Sequence, residues 1–151
     1  MSRYAQMFQR LHQRGEGAFG GFLMLGDPDV ETSATLLNAL VEGGADMVEV
    51  GIPFSDPVAD GPIIQAAADR ALKAGVRVDD CFALIAQFRA KHPAVPVGIL
   101  TYANLLAARG RDRFMADAAT AGADSILVAD VPSIEAEPYW NAAKAAGLDL
   151  V

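Results

Sequence analysis

The chain has 151 residues, 52% of them hydrophobic, which is enough apolar material for one domain with its own core and too much for a disordered chain. A formal net charge of −7 excludes the basic surfaces that nucleic acids and anionic membranes require, but not small anions held by local backbone amides. The single cysteine, Cys81, excludes an internal disulfide and a cysteine-based zinc site and suits a reducing cytoplasm. Met1 to Gln6 does not read as a signal peptide, and no apolar run is long enough to span a bilayer.

Tyr4, Met7, Phe8 and Leu11 recur at helical spacing, so residues 3–13 are expected as a short amphipathic helix ended by Gly15 and Gly17. Phe19 to Leu25 reads as a glycine-containing strand, and Asp27-Pro28-Asp29 as a turn with Asp29 as N-cap of a helix carrying Leu36, Leu37, Leu40 and Val41. Gly43-Gly44 closes that helix, and Met47 to Val50 forms a short apolar strand of the kind buried on both faces of a parallel sheet. A loop with two prolines and two aspartates runs to Asp60, and Pro62 follows it. After it, Ile63, Ile64, Ala67, Ala68, Ala71 and Leu72 make a helical stripe ended by Gly75. Asp79 or Asp80 is expected to cap the next helix, with Phe82, Leu84, Ile85 and Phe88 inward. Then come a strand Val97 to Thr101, a turn around Ala103 to Leu106, a helix near 111–121 and a strand Ser125 to Ala129. A helix follows with Pro138 in its first turn and Tyr139, Trp140 and Ala143 along it, and last the start of a fifth strand, Leu148 to Val151.

Gly44-Ala45-Asp46, Gly122-Ala123-Asp124 and Gly147-Leu148-Asp149 each precede a strand. The plain reading is repeated turn chemistry, with glycine closing the helix and aspartate bonding local amides. Repeated βα units imply a parallel sheet without a domain boundary, so residues 1–151 are one domain. Two builds fit: an open doubly wound sheet, or part of an eight-stranded barrel. The turn Leu25-Gly26-Asp27-Pro28 lacks the Gly-x-Gly-x-x-Gly of a dinucleotide fold.

Apart from Asp149 in the incomplete fifth strand, Glu49 is the only acid inside a predicted strand core, and no predicted strand offers a basic partner. Desolvation there raises a carboxyl pKa towards neutrality, which suits a group that gives and takes a proton. Asp60 reads evenly as a functional acid at the same mouth, beyond the carboxyl ends of the strands, or as the N-cap of the following helix. Asp56 reads as a turn residue. Phe22, Leu100 and Leu127 sit late in strands, as core or as pocket lining. Tyr102 follows a strand and places its hydroxyl either in a site or on the surface. His12 and His92 read as solvated. No spacing suggests a metal site or a Ser or Cys nucleophile.

Leu25 to Pro28, Glu49 to Pro62, Tyr102-Ala103-Asn104 and Val128 to Pro132 together resemble the tryptophan synthase alpha chain family, in matching order along the whole chain. The resemblance implies a TIM barrel that cleaves indole-3-glycerol phosphate to indole and glyceraldehyde 3-phosphate, with Glu49 and Asp60 as the catalytic pair. It implies apolar substrate contacts from Phe22, Leu100, Leu127 and Ala129, with Tyr102 beside them. Pro53, Asp56 and Asn104 fall in segments facing a beta chain, which completes an alpha2beta2 heterotetramer in the cytoplasm and carries the pyridoxal phosphate. No cofactor is expected on this chain. The family is longer, so the chain is expected to be its amino-terminal half, four βα units and the start of strand five. Two readings follow: the lyase, or a non-catalytic fragment that keeps part of the beta-chain surface. Another phosphate-sugar barrel enzyme is a more remote third.

Overall fold

The computed structural model describes residues 1–151. Its strands are β1 (Gly20–Met24), β2 (Met47–Gly51), β3 (Val97–Thr101), β4 (Ser125–Val128) and β5 (Asp149–Leu150). Its helices are α1 (Arg3–Arg14), α2 (Val30–Glu42), α3 (Pro62–Lys73), α4 (Val78–Lys91), α5 (Ala103–Arg109), α6 (Arg111–Ala121) and α7 (Glu137–Ala146), with a 3₁₀ turn at Ser133–Glu135. The strands lie in the order β1-β2-β3-β4-β5, and every neighbouring pair is parallel. That order chooses between the two builds. A doubly wound sheet reverses direction at a switch point, which is where its helices change face. A sheet that always steps the same way, with right-handed crossovers, keeps its crossover helices on one face and curls toward a barrel.

Side chains alternate along each strand. Leu25, Val48, Val50, Val97, Ile99 and Ile126 turn outward and meet Leu37, Leu84, Ile85, Phe88, Phe114, Met115, Ala118 and Ala143 in one core cluster. The helices over this face, α2, α4, α6 and α7, pack in series. The inner face carries Phe22, Glu49, Gly98, Ser125 and Asp149 side by side in register.

α1 crosses the amino ends of the strands. Met7 and Leu11 are buried, Arg3 donates to Pro93 O and to Asp124, and the Tyr4 hydroxyl meets Ser125 Oγ at 2.9 Å. Phe8, expected on the same buried face, is exposed. α3 does not join the outer layer: Ala67 and Ala68 pack on Met24, Phe22 and Ile64, over the inner face of β1. Its predicted stripe is therefore only partly buried, and Ile63 is 78% exposed. α4 supplies the crossover instead.

Local chemistry accounts for the ends. Asp29 accepts the Thr32 N–H at 2.8 Å as the expected N-cap. Neither Asp79 nor Asp80 caps α4. Arg77 holds that position, and Asp80, three residues on, accepts its N–H at 2.8 Å. The expected turn at Ala103 is the helix α5. His92 is half-buried against Phe88 and bonds Asn38 Oδ1 at 2.8 Å, so it is not solvated. The repeated aspartates do not bond local amides. Asp46 accepts the Phe19 N–H at 3.1 Å and Asp124 the Val97 N–H at 2.8 Å, so each fastens its own strand to the start of the preceding one.

Candidate active site

Glu49 lies at mid-strand on the inner face of β2, between Phe22 and Gly98. It is more exposed than a strand covered on both sides would allow, because helices cover only the outer face here. Partial burial still raises its carboxyl above the ordinary 4.5, and no charged neighbour opposes that shift. It also borders a cavity of about 360 Å³ toward the amino ends of the strands, lined by Tyr4 and Phe8 of α1 with Gly20, Phe22, Met47 and Ser125. Two glycines shape the inner face beside Glu49. A Cβ at Gly98 would lie 3.0 Å from both the Tyr4 and Ser125 hydroxyl oxygens, and one at Gly51 would lie 2.8 Å from the Phe22 ring. The inner face thus places an aromatic surface and a hydroxyl pair around one unpaired carboxyl.

Asp60 ends the loop that follows β2. Its N–H bonds Pro57 O at 3.1 Å, and its carbonyl accepts from Gln65 Nε2 at 2.8 Å. The N-cap reading fails, since Gly61 holds that position and no side chain caps α3. Oδ2 of Asp60 is buried without a hydrogen-bond partner. A buried polar oxygen left without a hydrogen-bond partner is costly, and such an orphan in a loop beyond a strand marks a candidate functional group. The backbones of the two acids stand at different heights. Glu49 lies about 7 Å below the end of β2, at two residues of strand rise, while Asp60 stands in the loop above it.

Leu100, Leu127 and Ala129 are half-buried; Leu100 and Leu127 face each other in register, and Leu127 and Ala129 share the inward alternation. Tyr102 differs from them. It is 1% exposed, its ring stacks on Phe54 at 5.3 Å, and its hydroxyl accepts the Ala59 N–H at 3.3 Å. Burial first, and then the neighbouring Asp60, push the Tyr102 hydroxyl up to about 12. It therefore lies beneath the loop and not on the open face beside the apolar residues. Of the residues expected at a partner surface, Asp56 and Asn104 are exposed, whereas Pro53 is buried.

Sequence reasoning passed over three supports of this mouth. Asp130 accepts the Ala103 N–H at 2.8 Å and so ties the loop after β4 to the start of α5. Both oxygens of Asp27 receive Arg70 at 2.7 Å, which holds the loop after β1 against α3. Gly26 (φ +79°) lies so close to Val76 that a Cβ would meet its methyls at 2.5 Å. Asp130 stood inside a quoted motif, but its partner lies 27 residues away, and spacing gives no sign of that.

A singly wound parallel sheet with an acid on its open inner face and a second acid in a βα loop fits the TIM-barrel class, in which sites form at the carboxyl ends of the strands. A sequence profile of the tryptophan synthase alpha chain matches residues 8–151, and the chain belongs to that family. The alpha chain of Aeromonas hydrophila is 53% identical over 151 residues, all of this chain and 56% of the relative. That of Shewanella amazonensis is 52% identical over 148 residues, 98% of this chain and 56% of the relative. The crystal structure of tryptophan synthase subunit alpha from Legionella pneumophila str. Paris superposes with a TM-score of 0.95 at 35% identity, covering 99% of this chain and 57% of that one. An aminoacrylate-bound tryptophan synthase structure from M. tuberculosis gives 0.92 at 35%, covering 99% and 60%. The chain thus spans about half the length of the curated relatives it matches.

Proposed function

We propose that these residues form the acid–base half of a site that cleaves indole-3-glycerol phosphate to indole and glyceraldehyde 3-phosphate. The observation that carries the reading is the contrast between the two acids: one carboxyl with a raised pKa on an aromatic-lined wall, and one buried carboxylate oxygen without a donor. Retro-aldol cleavage puts a proton on indole C3 and removes one from the side-chain hydroxyl. A single carboxyl that titrates closer to neutrality does both in turn, which assigns Glu49. Positive charge develops at the indole N–H as C3 is protonated. An ionised acceptor stabilises it, which assigns Asp60. Phe22, Leu100, Leu127 and Ala129 offer the indole ring its apolar surface. No cofactor enters this step.

The partner in this reading is a beta chain that carries pyridoxal phosphate and takes up the indole in an alpha2beta2 assembly in the cytoplasm. Exposed residues beyond the carboxyl ends of the strands support a partner there: Val58 is 79% exposed and Ile134 88%, and Asp56 and Asn104 are exposed as well. No helix is long and apolar enough to cross a membrane. The test is indole release from indole-3-glycerol phosphate with and without the beta chain, using Glu49→Gln as control. Glu49-dependent indole supports the lyase. Beta-chain binding without indole supports the non-catalytic fragment. Failure of indole-3-glycerol phosphate to bind a full-length relative carrying these residues points to another phosphate-sugar substrate.

A further inference from the structure

We infer that Tyr102 is a positioning residue for Asp60 and does not act as a wall of the substrate pocket. The inference rests on the lyase reading only for its catalytic consequence. Phe22, Leu100, Leu127 and Ala129 keep part of their surface on the inner face, whereas Tyr102 is 1% exposed even with that face open. Its contacts run to one segment. The ring stacks on Phe54 near the start of the loop, and the hydroxyl oxygen accepts the Ala59 N–H at its end.

The loop between those contacts has little other support. Ser55 bonds its neighbour Asp56, and the backbone bonds Val58 to Asp56 and Asp60 to Pro57 are internal to the loop. Tyr102 connects both ends of the loop to β3, an element otherwise fixed by the sheet. Its oxygen accepts the N–H of Ala59, the residue before Asp60, and the nearby Asp60 carboxyl adds to burial in raising the hydroxyl's pKa. The hydroxyl keeps its proton throughout the range in which enzymes work. The arrangement fixes the main chain on one side of Asp60 and leaves Oδ2 unfilled.

Tyr102→Phe isolates the hydroxyl, because the ring remains on Phe54 and the core is undisturbed. Two measurements test the role in the full chain. The first is amide exchange at Ala59, expected to quicken about tenfold on loss of one hydrogen bond, while exchange in β2 and β3 stays as it was. The second is indole release by the wild type, Tyr102→Phe, Asp60→Asn and the double variant, with and without the beta chain. A residue that acts through Asp60 lowers kcat more than it raises KM, by about tenfold, and adds nothing once Asp60 is Asn. Unchanged exchange at Ala59 overturns the proposal. So does a Tyr102→Phe loss that persists in full in the Asp60→Asn background, since that marks a direct substrate contact. If the wild type releases no indole, the lyase reading fails and the exchange at Ala59 alone decides the role of Tyr102.

Discussion

Glu49 shows how one position trades stability for chemistry. Its carboxyl is raised by partial burial and compensated by no cation, so the folded chain binds this proton more tightly than the unfolded chain does. The resulting penalty is absent below the ordinary 4.5 and develops as pH rises through the raised value. Glu49→Gln is therefore expected to melt at a higher temperature than wild type at pH 7, with the difference vanishing well below pH 4.5. Thermal melts across that range check it; an equal or lower melting temperature at pH 7 would show that the carboxylate is stabilised by something unseen. In a context competent for cleavage the same variant is expected to lose about 10²–10⁴ in the rate of indole release, as removal of a general acid–base does. Near-normal turnover would sink the assignment. Asp60→Asn should follow it in severity.

Single residues also hold the elements together. Asp124 is buried beneath the sheet, where it accepts Arg3, Arg89 and the Val97 N–H. Arg89 in turn bonds the carbonyls of Gly122, His92 and Val95, so one guanidinium joins the end of α4, the end of α6 and the entry to β3. Arg89→Ala leaves a buried carboxylate short of its cation and is expected to cost about 3–5 kcal/mol in chemical denaturation. A loss below about 1 kcal/mol would mean that Arg3 alone satisfies Asp124. Gly26→Ala tests the mouth. It forces a side chain into positive φ and against Val76, and is expected to cost at least about 2 kcal/mol, seen as a melting temperature lower by roughly 5 °C.

Across the whole molecule the two faces of the sheet differ. Helices bury the outer face, while Phe22, Leu100 and Leu127 remain part-exposed on the inner one, and β1 and β5 each have an unpaired edge. A closed barrel of eight strands has neither feature. A polypeptide of these 151 residues alone is expected to bind a hydrophobic dye and to scatter light as dimers or larger species. Joined to the remaining half of one of the alpha chain relatives, it should lose the dye signal and release indole. A monodisperse 151-residue monomer with a sharp melt and no dye binding would show that the inner face is closed some other way. The isolated polypeptide is expected to turn over little, since TIM barrels commonly hold phosphate after strands seven and eight.

The sequence by itself determined most of the elements and singled out Glu49 as a candidate. Helical stripes, the Asp29 cap, the glycine turns and the lone acid in an apolar strand all follow from periods and propensities that act over a few residues. Glu49 could be singled out because its neighbours Val48 and Val50 made its charge conspicuous. What local pattern could not carry was anything set by partners distant in the chain. Strand order chose the barrel over the doubly wound sheet, and packing sent α3 to the inner face, which its apolar stripe alone does not specify. Asp46 and Asp124 fasten neighbouring strands because parallel pairing brings Phe19 and Val97 beside them. Tyr102 lies beneath the Asp60 loop because β3 runs next to β2, a fact of register that no stretch around residue 102 contains.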